Sequence, residues 1–404
     1  MTGRRILTGR LEGFGASVFA EMTALAVRTG AVNLGQGFPD YDGPAEVLET
    51  AREQIAAGAN QYPPGTGTAD LRSAVSEHQQ RFWGLTYDPD SEVLVTMGAT
   101  EAIAAALLSM VETGDEVVVF EPLFDTYAAC VSLAGGVLSP VTLRPDADGR
   151  FTFDPGELRR AVTPRTKIIL LNSPHNPTGT VFTREELAQV AALAVEHDLI
   201  VVSDEVYEHL TFDGAVHVPV ATLPGMRERT VTVSSGGKSF NTTGWKIGWA
   251  CAPAPLVNAV RMAKQLFTFA GGTPFQAAIA RGLRLPDSYF TALADDLRAK
   301  RDLLDSALRG AGLVTHRVEG TYFLTADVRP LRPDGDGTAF CREMPGMCGV
   351  VAIPAGVLYT PSGEPSGRHL VRFAFCKQTA TIEEASARLA SLGSGARSET
   401  ATGR

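Results

Sequence analysis

Lysine is scarce in this 404-residue chain: of 36 basic residues only Lys167, Lys238, Lys246, Lys264, Lys300 and Lys377 are lysines. Arginine stays protonated, whereas a lysine amine can lose its proton and form imines, so a lysine in a chain that otherwise uses arginine invites a chemical reason. Cysteine is sparse too. Cys130, Cys251, Cys341, Cys348 and Cys376 are scattered, odd in number and never in a Cys-x-x-Cys pair, which argues against a disulfide framework and a zinc knuckle and for buried, reduced thiols. The seven histidines form no His-Glu-x-x-His or comparable spacing, so no metal is expected. No run of about 18 uncharged apolar residues occurs, and the arginines near the N-terminus are not followed by an apolar core, so neither a membrane span nor an export signal is expected and the reading is cytoplasmic. A net charge of -9 and a pI near 5.4 leave no basic field to collect phosphate backbones, so small molecules are expected as partners rather than nucleic acid.

What is present is the composition of a globular protein large enough for two domains, with 44% hydrophobic and 20% charged residues. An amphipathic pattern over 18–28 leads to the glycine-punctuated turn Val32-Asn33-Leu34-Gly35-Gln36-Gly37-Phe38-Pro39-Asp40. A helical pattern over 45–57 follows. The next stretch, Asn60-Gln61-Tyr62-Pro63-Pro64-Gly65-Thr66-Gly67, fits neither a helix nor a central strand and reads as a surface or interface loop.

Largely apolar runs at 92–96, 116–120, 167–172, 199–203 and 230–234 are expected to be strands covered on both faces. Helical patterns over 101–112, 124–134 and 184–197 separate the first four, the last opened by the capping box Thr183-Arg184-Glu185-Glu186. The link at 220–229 contains Pro224-Gly225 and admits only short helical pieces. This alternation predicts an α/β fold: a mostly parallel, doubly wound sheet in a large domain over 46–284. After 285, a long helical pattern (288–311), strand-like runs at 321–328, 350–353 and 369–375, and a closing helix at 382–392 predict a smaller α+β domain over 285–393. The N-terminal segment 1–45 has no sheet of its own and is expected to pack on the small domain, while residues 1–12 and the small, polar tail at 394–404 are expected to fray.

The unusual residues gather at the carboxyl ends of the expected strands, where doubly wound sheets bind ligands. Gly98-Ala99-Thr100 follows the first and Phe124 the second. Asn176-Pro177-Thr178-Gly179 follows the third, Asp204 ends the fourth with Tyr207 beyond it, and Ser235 and Lys238 follow the fifth. In isolation each has a bland reading: a helix start, a core aromatic, a helix N-cap, a loop lysine. Together they suit pyridoxal phosphate. Lys238 would hold the cofactor as a Schiff base. The helix start at Gly98-Ala99-Thr100, with Ser235 and Lys246, would take the phosphate. Asp204 would keep the pyridine nitrogen protonated, Tyr207 and Asn176 would hydrogen-bond the ring's phenolic oxygen, and Phe124 would stack on the ring. Gly236-Gly237 read as clearance for the cofactor.

These motifs, with Asn33-Leu34-Gly35-Gln36-Gly37-Phe38-Pro39, Asn60-Gln61-Tyr62, Glu121-Pro122-Leu123-Phe124-Asp125, Thr243-Gly244-Trp245-Lys246-Ile247-Gly248 and Val371-Arg372-Phe373, resemble the fold-type I, class I/II pyridoxal-phosphate aminotransferases over nearly the whole chain. The resemblance implies that Lys238 is the cofactor lysine, Asp204 the pyridine partner and Phe124 the stacking ring. It also implies that Arg372, Asn176 and the Gly37 backbone clamp a substrate carboxylate, and a planar guanidinium fork suits that task. It further implies a homodimer with shared sites, in which Tyr62 reaches the other subunit's phosphate and the loop Gly271-Gly272-Thr273-Pro274-Phe275 lines the other subunit's pocket. Where kynurenine and glutamine transaminases carry bulky aromatic and histidine side chains, this chain has Gly271-Gly272, which should widen the pocket. Together with Val18-Phe19-Ala20-Glu21-Met22 and Pro274-Phe275-Gln276, that departure is similar to the bacterial N-succinyldiaminopimelate aminotransferases, and it puts Phe19, Gly271 and Gly272 on the substrate side. The implied activity is ping-pong transfer of an amino group from an amino acid to a 2-oxo acid, leaning to N-succinyldiaminopimelate and 2-oxoglutarate, with kynurenine, glutamine, methionine, aromatic amino acids or a dedicated biosynthetic substrate as alternative donors. Two rivals stand beside it: a pyridoxal-phosphate carbon-sulfur β-lyase, which no residue here separates, and a non-enzymatic sensor domain, which would need a helix-turn-helix region ahead of the first helix.

Overall fold

A computed structural model gives the fold; it describes residues 6–14 and 18–401, leaving aside the side chains of 364 and 393–401. Its centre is a sheet of seven strands: β1 (Val93–Met97), β2 (Glu116–Glu121), β3 (Val137–Thr142), β4 (Thr166–Asn172), β5 (Ile200–Asp204), β6 (Thr230–Ser235) and β7 (Ile247–Cys251). Their spatial order is β1-β7-β6-β5-β4-β2-β3. β3, β2, β4, β5 and β6 pair in parallel, and β7 runs antiparallel between β6 and β1. The five anticipated strands form within a residue or two of their expected limits, and all have mostly buried side chains.

β3 and β7 are additions to the expected sheet. β3 carries Pro140 and is only partly buried, a combination tolerated because it lies at the sheet edge. β7 is five residues long and is reached from β6 through a short helical turn, Gly236–Ser239, and a 3-10 turn, Thr243–Trp245. Lys246 then adopts the left-handed conformation at φ 56°, which brings the chain back alongside β6. The helix Arg184–Glu196 begins with the full capping box, Thr183 and Glu186 satisfying each other's backbone amides.

A second, antiparallel sheet contains β8 (Val314–Thr315), β9 (Phe323–Asp327), β10 (Ile353–Pro354) and β11 (Leu370–Ala374), in the order β8-β9-β11-β10. β11, which carries Arg372, is therefore an interior strand, so Arg372 is not a surface arginine on an edge. The N-terminal segment joins this region: Val32–Asn33 pairs in parallel with Val350–Val351, and Met22, Ala26 and Leu34 share its core. Two stretches expected to fray are more regular than that. Near the N-terminus, Gly9–Leu11 form a 3-10 turn, tied at Arg10 to Leu133 and Ser132; residues 1–5 and 402–404 lie outside the described residues. The closing helix spans Thr379–Ala401, because nothing after Leu392 is a proline that would force an end. Among the described residues no helix is long and apolar enough to cross a membrane.

Candidate active site

β1 ends at Met97 and the helix Gly98–Met110 starts at once. Gly98 has φ +74°, and a Cβ there would stand 3.1 Å from Lys246 Nζ; on β7, a Cβ at Gly248 would meet the Gly98 carbonyl carbon at 2.5 Å and Ala99 N at 2.6 Å. Only glycines allow the helix start to lie this close over β7 beside the lysine. Gly98, Ala99, Thr100, Ser235, Thr243 and Lys246 consequently line one cleft. Helix amides, hydroxyls and one ammonium in a single cradle are the donor set for a dianionic phosphate.

The middle of the cleft holds Lys238 and Asp204. Asp204 is 5% exposed; Tyr127 Oη donates to its Oδ2, and Val206 N donates to Oδ1 at 3.3 Å. No helix follows it, so it caps a turn rather than a helix. Burial pushes its carboxyl up to about 6 against the pull of Tyr127, Val206 and the nearby Lys238 charge. Lys238 sits in the turn Gly236–Ser239, and its Nζ donates to Tyr322 Oη at 2.9 Å. Burial lowers its amine to about 8, which makes it partly neutral near physiological pH. Tyr207 also lines the cleft; burial raises its phenol, so it stays protonated and able to donate. Phe124 caps the helix Asp125–Ala134 at the cleft wall.

The two glycines before Lys238 also answer to contacts within the chain. A Cβ at Gly236 would meet Ile279 Cδ1 at 2.6 Å, and one at Gly237 would meet Thr243 Cα at 3.1 Å. Gly236 therefore makes room for Ile279 of the protein's own chain, while Gly237 also lines the Lys238 cleft.

Beyond Lys238 lies Arg372, 2% exposed. Its Nη1 donates to Asn176 Oδ1 at 3.2 Å and its Nη2 to Gly35 O at 3.0 Å, while Nε has no partner. The guanidinium lies 5.0 Å from the Phe19 ring centroid and 4.1 Å from that of Phe323. Burial lowers it to about 10. No salt bridge to it is present among the described residues, and a buried cation with a donor to spare is costly unless an anion arrives. Asn176, whose oxygen is held by Arg372, keeps its NH2 to donate. Gly37 must be glycine, since a Cβ would lie 2.5 Å from Phe323 Cζ; its carbonyl accepts from Tyr322 Oη at 2.8 Å, which leaves only its amide for a substrate.

Tyr62, Gly271 and Gly272 are not brought to this cleft. They line a second one with Asn60, Pro274 and Phe275. Tyr62 is 82% exposed and edge-on to Phe269 at 6.1 Å, and Thr273 Oγ1 donates to Gln61 O at 2.7 Å. A Cβ at Gly272 (φ +67°) would meet Ile247 Cδ1 at 2.6 Å, so the pair backs onto the wall of the Lys238 cleft, which Ile247 also lines.

Among the polar residues in or beside the cleft, Tyr127, Asn172, Thr243 and Tyr322 escaped sequence reasoning. Tyr127 lies one helical turn after Phe124, and Asn172 ends β4, donating to Asp204 O at 2.9 Å and accepting from Asn176 N at 2.7 Å. Both positions were within reach of the strand-end argument. Thr243 belongs to a motif already noted. Tyr322 had no local signal, since 84 residues separate it from Lys238. The histidine spacing likewise hid a grouping: His78, Glu208 and His209 place ligand atoms within 4.8 Å of one another. Two of them already satisfy each other, His78 Nε2 lying 2.7 Å from His209 Nε2, and Glu208 accepts from Trp83 and Ser234.

The family model for aminotransferase class I and II matches residues 29–389. The chain belongs to this family. The aminotransferase is 53% identical over 389 residues to a probable N-succinyldiaminopimelate aminotransferase of Mycobacterium tuberculosis, covering 95% of this chain and 98% of that one. It is 40% identical to the methionine aminotransferase of Escherichia coli, covering 95% and 97%. The solved structure of the M. tuberculosis N-succinyldiaminopimelate aminotransferase superposes with a TM-score of 0.92 at 52% identity, over 96% of this chain and all of that one. The E. coli enzyme identified as a methionine aminotransferase superposes at 0.89 and 39%, with the same coverage.

Proposed function

We propose that the aminotransferase works with pyridoxal phosphate in the Lys238 cleft and transfers the amino group of N-succinyldiaminopimelate to 2-oxoglutarate. The observation that carries the cofactor reading is the convergence, in one cleft, of a glycine-opened helix start beside Lys246, a buried carboxylate pushed up to about 6 and a buried amine lowered to about 8. Gly98, Ala99, Thr100, Ser235, Thr243 and Lys246 would hold the phosphate, Asp204 the pyridine N–H, Tyr207 and Asn176 the phenolic oxygen, and Phe124 the ring face. When bound, the cofactor supplies an electron sink for the substrate's α-carbon.

The chain's own residues do the rest. Arg372, with Asn176 and the Gly37 amide, fixes the α-carboxylate by a planar fork. Phe19 and Phe323, packed against Arg372, keep water from the ion pair, where low polarity strengthens it. Lys238 Nζ takes the α-proton and returns it, a role worth about 10²–10⁴-fold. The donor leaves as a 2-oxo acid before the acceptor binds, and the second half-reaction runs in reverse.

The working unit is a homodimer in which Tyr62, Gly271 and Gly272 complete the partner's site. Support comes from the exposed apolar side chains on the segment that leads into that outer cleft: Met262 at 50%, Leu266 at 80%, Phe267 at 53% and Phe269 at 51%, exposure that suits a covering molecule. The substrate reading rests on the high identity to the mycobacterial relative, and a donor screen with 2-oxoglutarate and pyruvate tests it. N-succinyldiaminopimelate should turn over fastest with 2-oxoglutarate. If it is inert while methionine or kynurenine reacts quickly, the substrate is wrong; release of pyruvate and ammonia without an acceptor would favour the β-lyase.

A further inference from the structure

Tyr322 connects three parts of the chain that are far apart in sequence. Its phenol bonds Lys238, which follows β6, and Gly37, in the N-terminal segment, while its own backbone leads into β9. The residue before it is strained: Thr321 is β-branched and has φ 66°, a conformation such residues rarely adopt. It is held there from both sides, its amide donating to Leu210 O at 2.9 Å and its Oγ1 accepting from Phe323 N at 3.2 Å. Backbone strain of this kind persists where the surroundings over-determine it, and it clusters at functional sites.

The direction of the hydrogen bonds follows from chemistry alone. A carbonyl oxygen only accepts, so the phenol hydrogen of Tyr322 is committed to Gly37. The phenol oxygen is then left as an acceptor, and the Lys238 amine must donate to it. One N–H of the amine is fixed, and the lone pair of its neutral form is free to face the rest of the cleft. The ring itself is held edge-on against Tyr207 at 5.2 Å and against Phe323 at 4.8 Å.

We propose that Tyr322 is a positioning residue for the Lys238 amine: it accepts one N–H from Nζ while Gly37 holds its own O–H, so that the resting place of the amine depends on the N-terminal segment. The inference rests on the reading of Lys238 as the reacting amine. In this arrangement Tyr322 neither gives nor takes the transferred proton. It aims the lone pair that does, and Gly37, placed by Phe323, transmits the position of the N-terminal segment to the amine.

The test uses Tyr322→Phe, which keeps the ring and removes only the oxygen. In cofactor-free protein, the pH dependence of Lys238 acylation, followed by peptide mass spectrometry, reads the amine directly. The groups facing it, Asp204, Lys246, Arg372, Cys376 and Tyr207, stay in place. The acylation midpoint should fall by about one pH unit, because an acceptor that favours the ammonium is lost. In the loaded enzyme kcat should fall about 10- to 100-fold with KM within about threefold. An unchanged midpoint, or a rise in KM with kcat intact, would overturn the proposal.

Thr321→Gly keeps the phenol and removes the strain. It should retain the thermal midpoint to within a few degrees and still lose kcat, because the phenol is no longer pinned; full kcat in that variant would overturn the link between strain and placement. If Tyr322→Phe unfolds, this second variant decides. Failure of the functional reading is a separate result: it would show as normal turnover in a Lys238→Ala variant, whereas the acylation midpoint reports on Tyr322 whatever the reaction.

Discussion

The two clefts on either side of Ile247 are built in opposite ways. At the inner cleft, Asp204 on its wall and Arg372 behind Asn176 are 5% and 2% exposed, and each is bonded to residues of the same chain, Tyr127 and Val206 in one case, Asn176 and Gly35 in the other. In the outer cleft Tyr62 is 82% exposed and Leu266 80%, and the only ring beside Tyr62 among the described residues is Phe269. Side chains that a chain positions for its own use are fixed by its own contacts, while an apolar surface left open is suited to a second molecule. Substitutions inside should therefore change rates at every protein concentration, and those outside should act through association.

The largest effect is expected at Lys238. Lys238→Ala should reduce steady-state transamination by up to about 10⁴-fold at any protein concentration, while cofactor absorbance stays with the protein through gel filtration. Next is Asp204→Asn, which keeps the shape but not the charge. It should lower kcat by about 10²–10³-fold, measured in single half-reactions by stopped-flow absorbance. Arg372→Lys keeps the charge but not the fork, and should raise KM about 10- to 100-fold with a smaller change in kcat.

The outer cleft should respond otherwise. Phe269 has φ 56°, so Phe269→Gly removes the ring without strain. It should shift the dissociation midpoint of the proposed dimer in analytical ultracentrifugation by about tenfold or more, with specific activity recovering at high protein concentration. A Lys238→Ala protein that dissociated in the same way would break the distinction between the clefts.

The last effect is on stability rather than on rate or association, and concerns the buried Glu208. Burial raises the Glu208 carboxyl from 4.5 to about 7, so its contribution to stability is fully present below 4.5 and is lost as pH rises through 7. Relative to the parent, Glu208→Gln should gain up to about 3 kcal/mol between pH 5 and pH 8, as read by urea unfolding of the cofactor-free protein.

How much of this was legible in the sequence follows from the range of the signal. Asp204, Ser235 and Lys238 announce themselves because a strand and the residues just after it form one local pattern, and the doubly wound topology then brings those strand ends together. Arg372 was found through the family resemblance, and its interior position on β11 is a property of pairing with β9 and β10, strands remote in sequence. Tyr322 and the His78–His209 contact spanning 131 residues are purely tertiary, and no periodicity or spacing points to them. β7 was missed because Gly248 interrupts its short apolar run, and the turn at Lys246 that reverses the chain is a left-handed lysine that no propensity favours. The packing of Gly236 against Ile279 escaped notice for a related reason: a glycine pair signals close approach, but not by what.

The central claim is that Lys238 serves a transfer in two separate halves. The most direct measurement is to mix cofactor-loaded protein with amino donor alone and count 2-oxo acid by rapid-quench chromatography. The account predicts one 2-oxo acid per subunit, no free ammonia, and no further product until an acceptor is added. Continued release of 2-oxo acid with ammonia in the absence of an acceptor would contradict it.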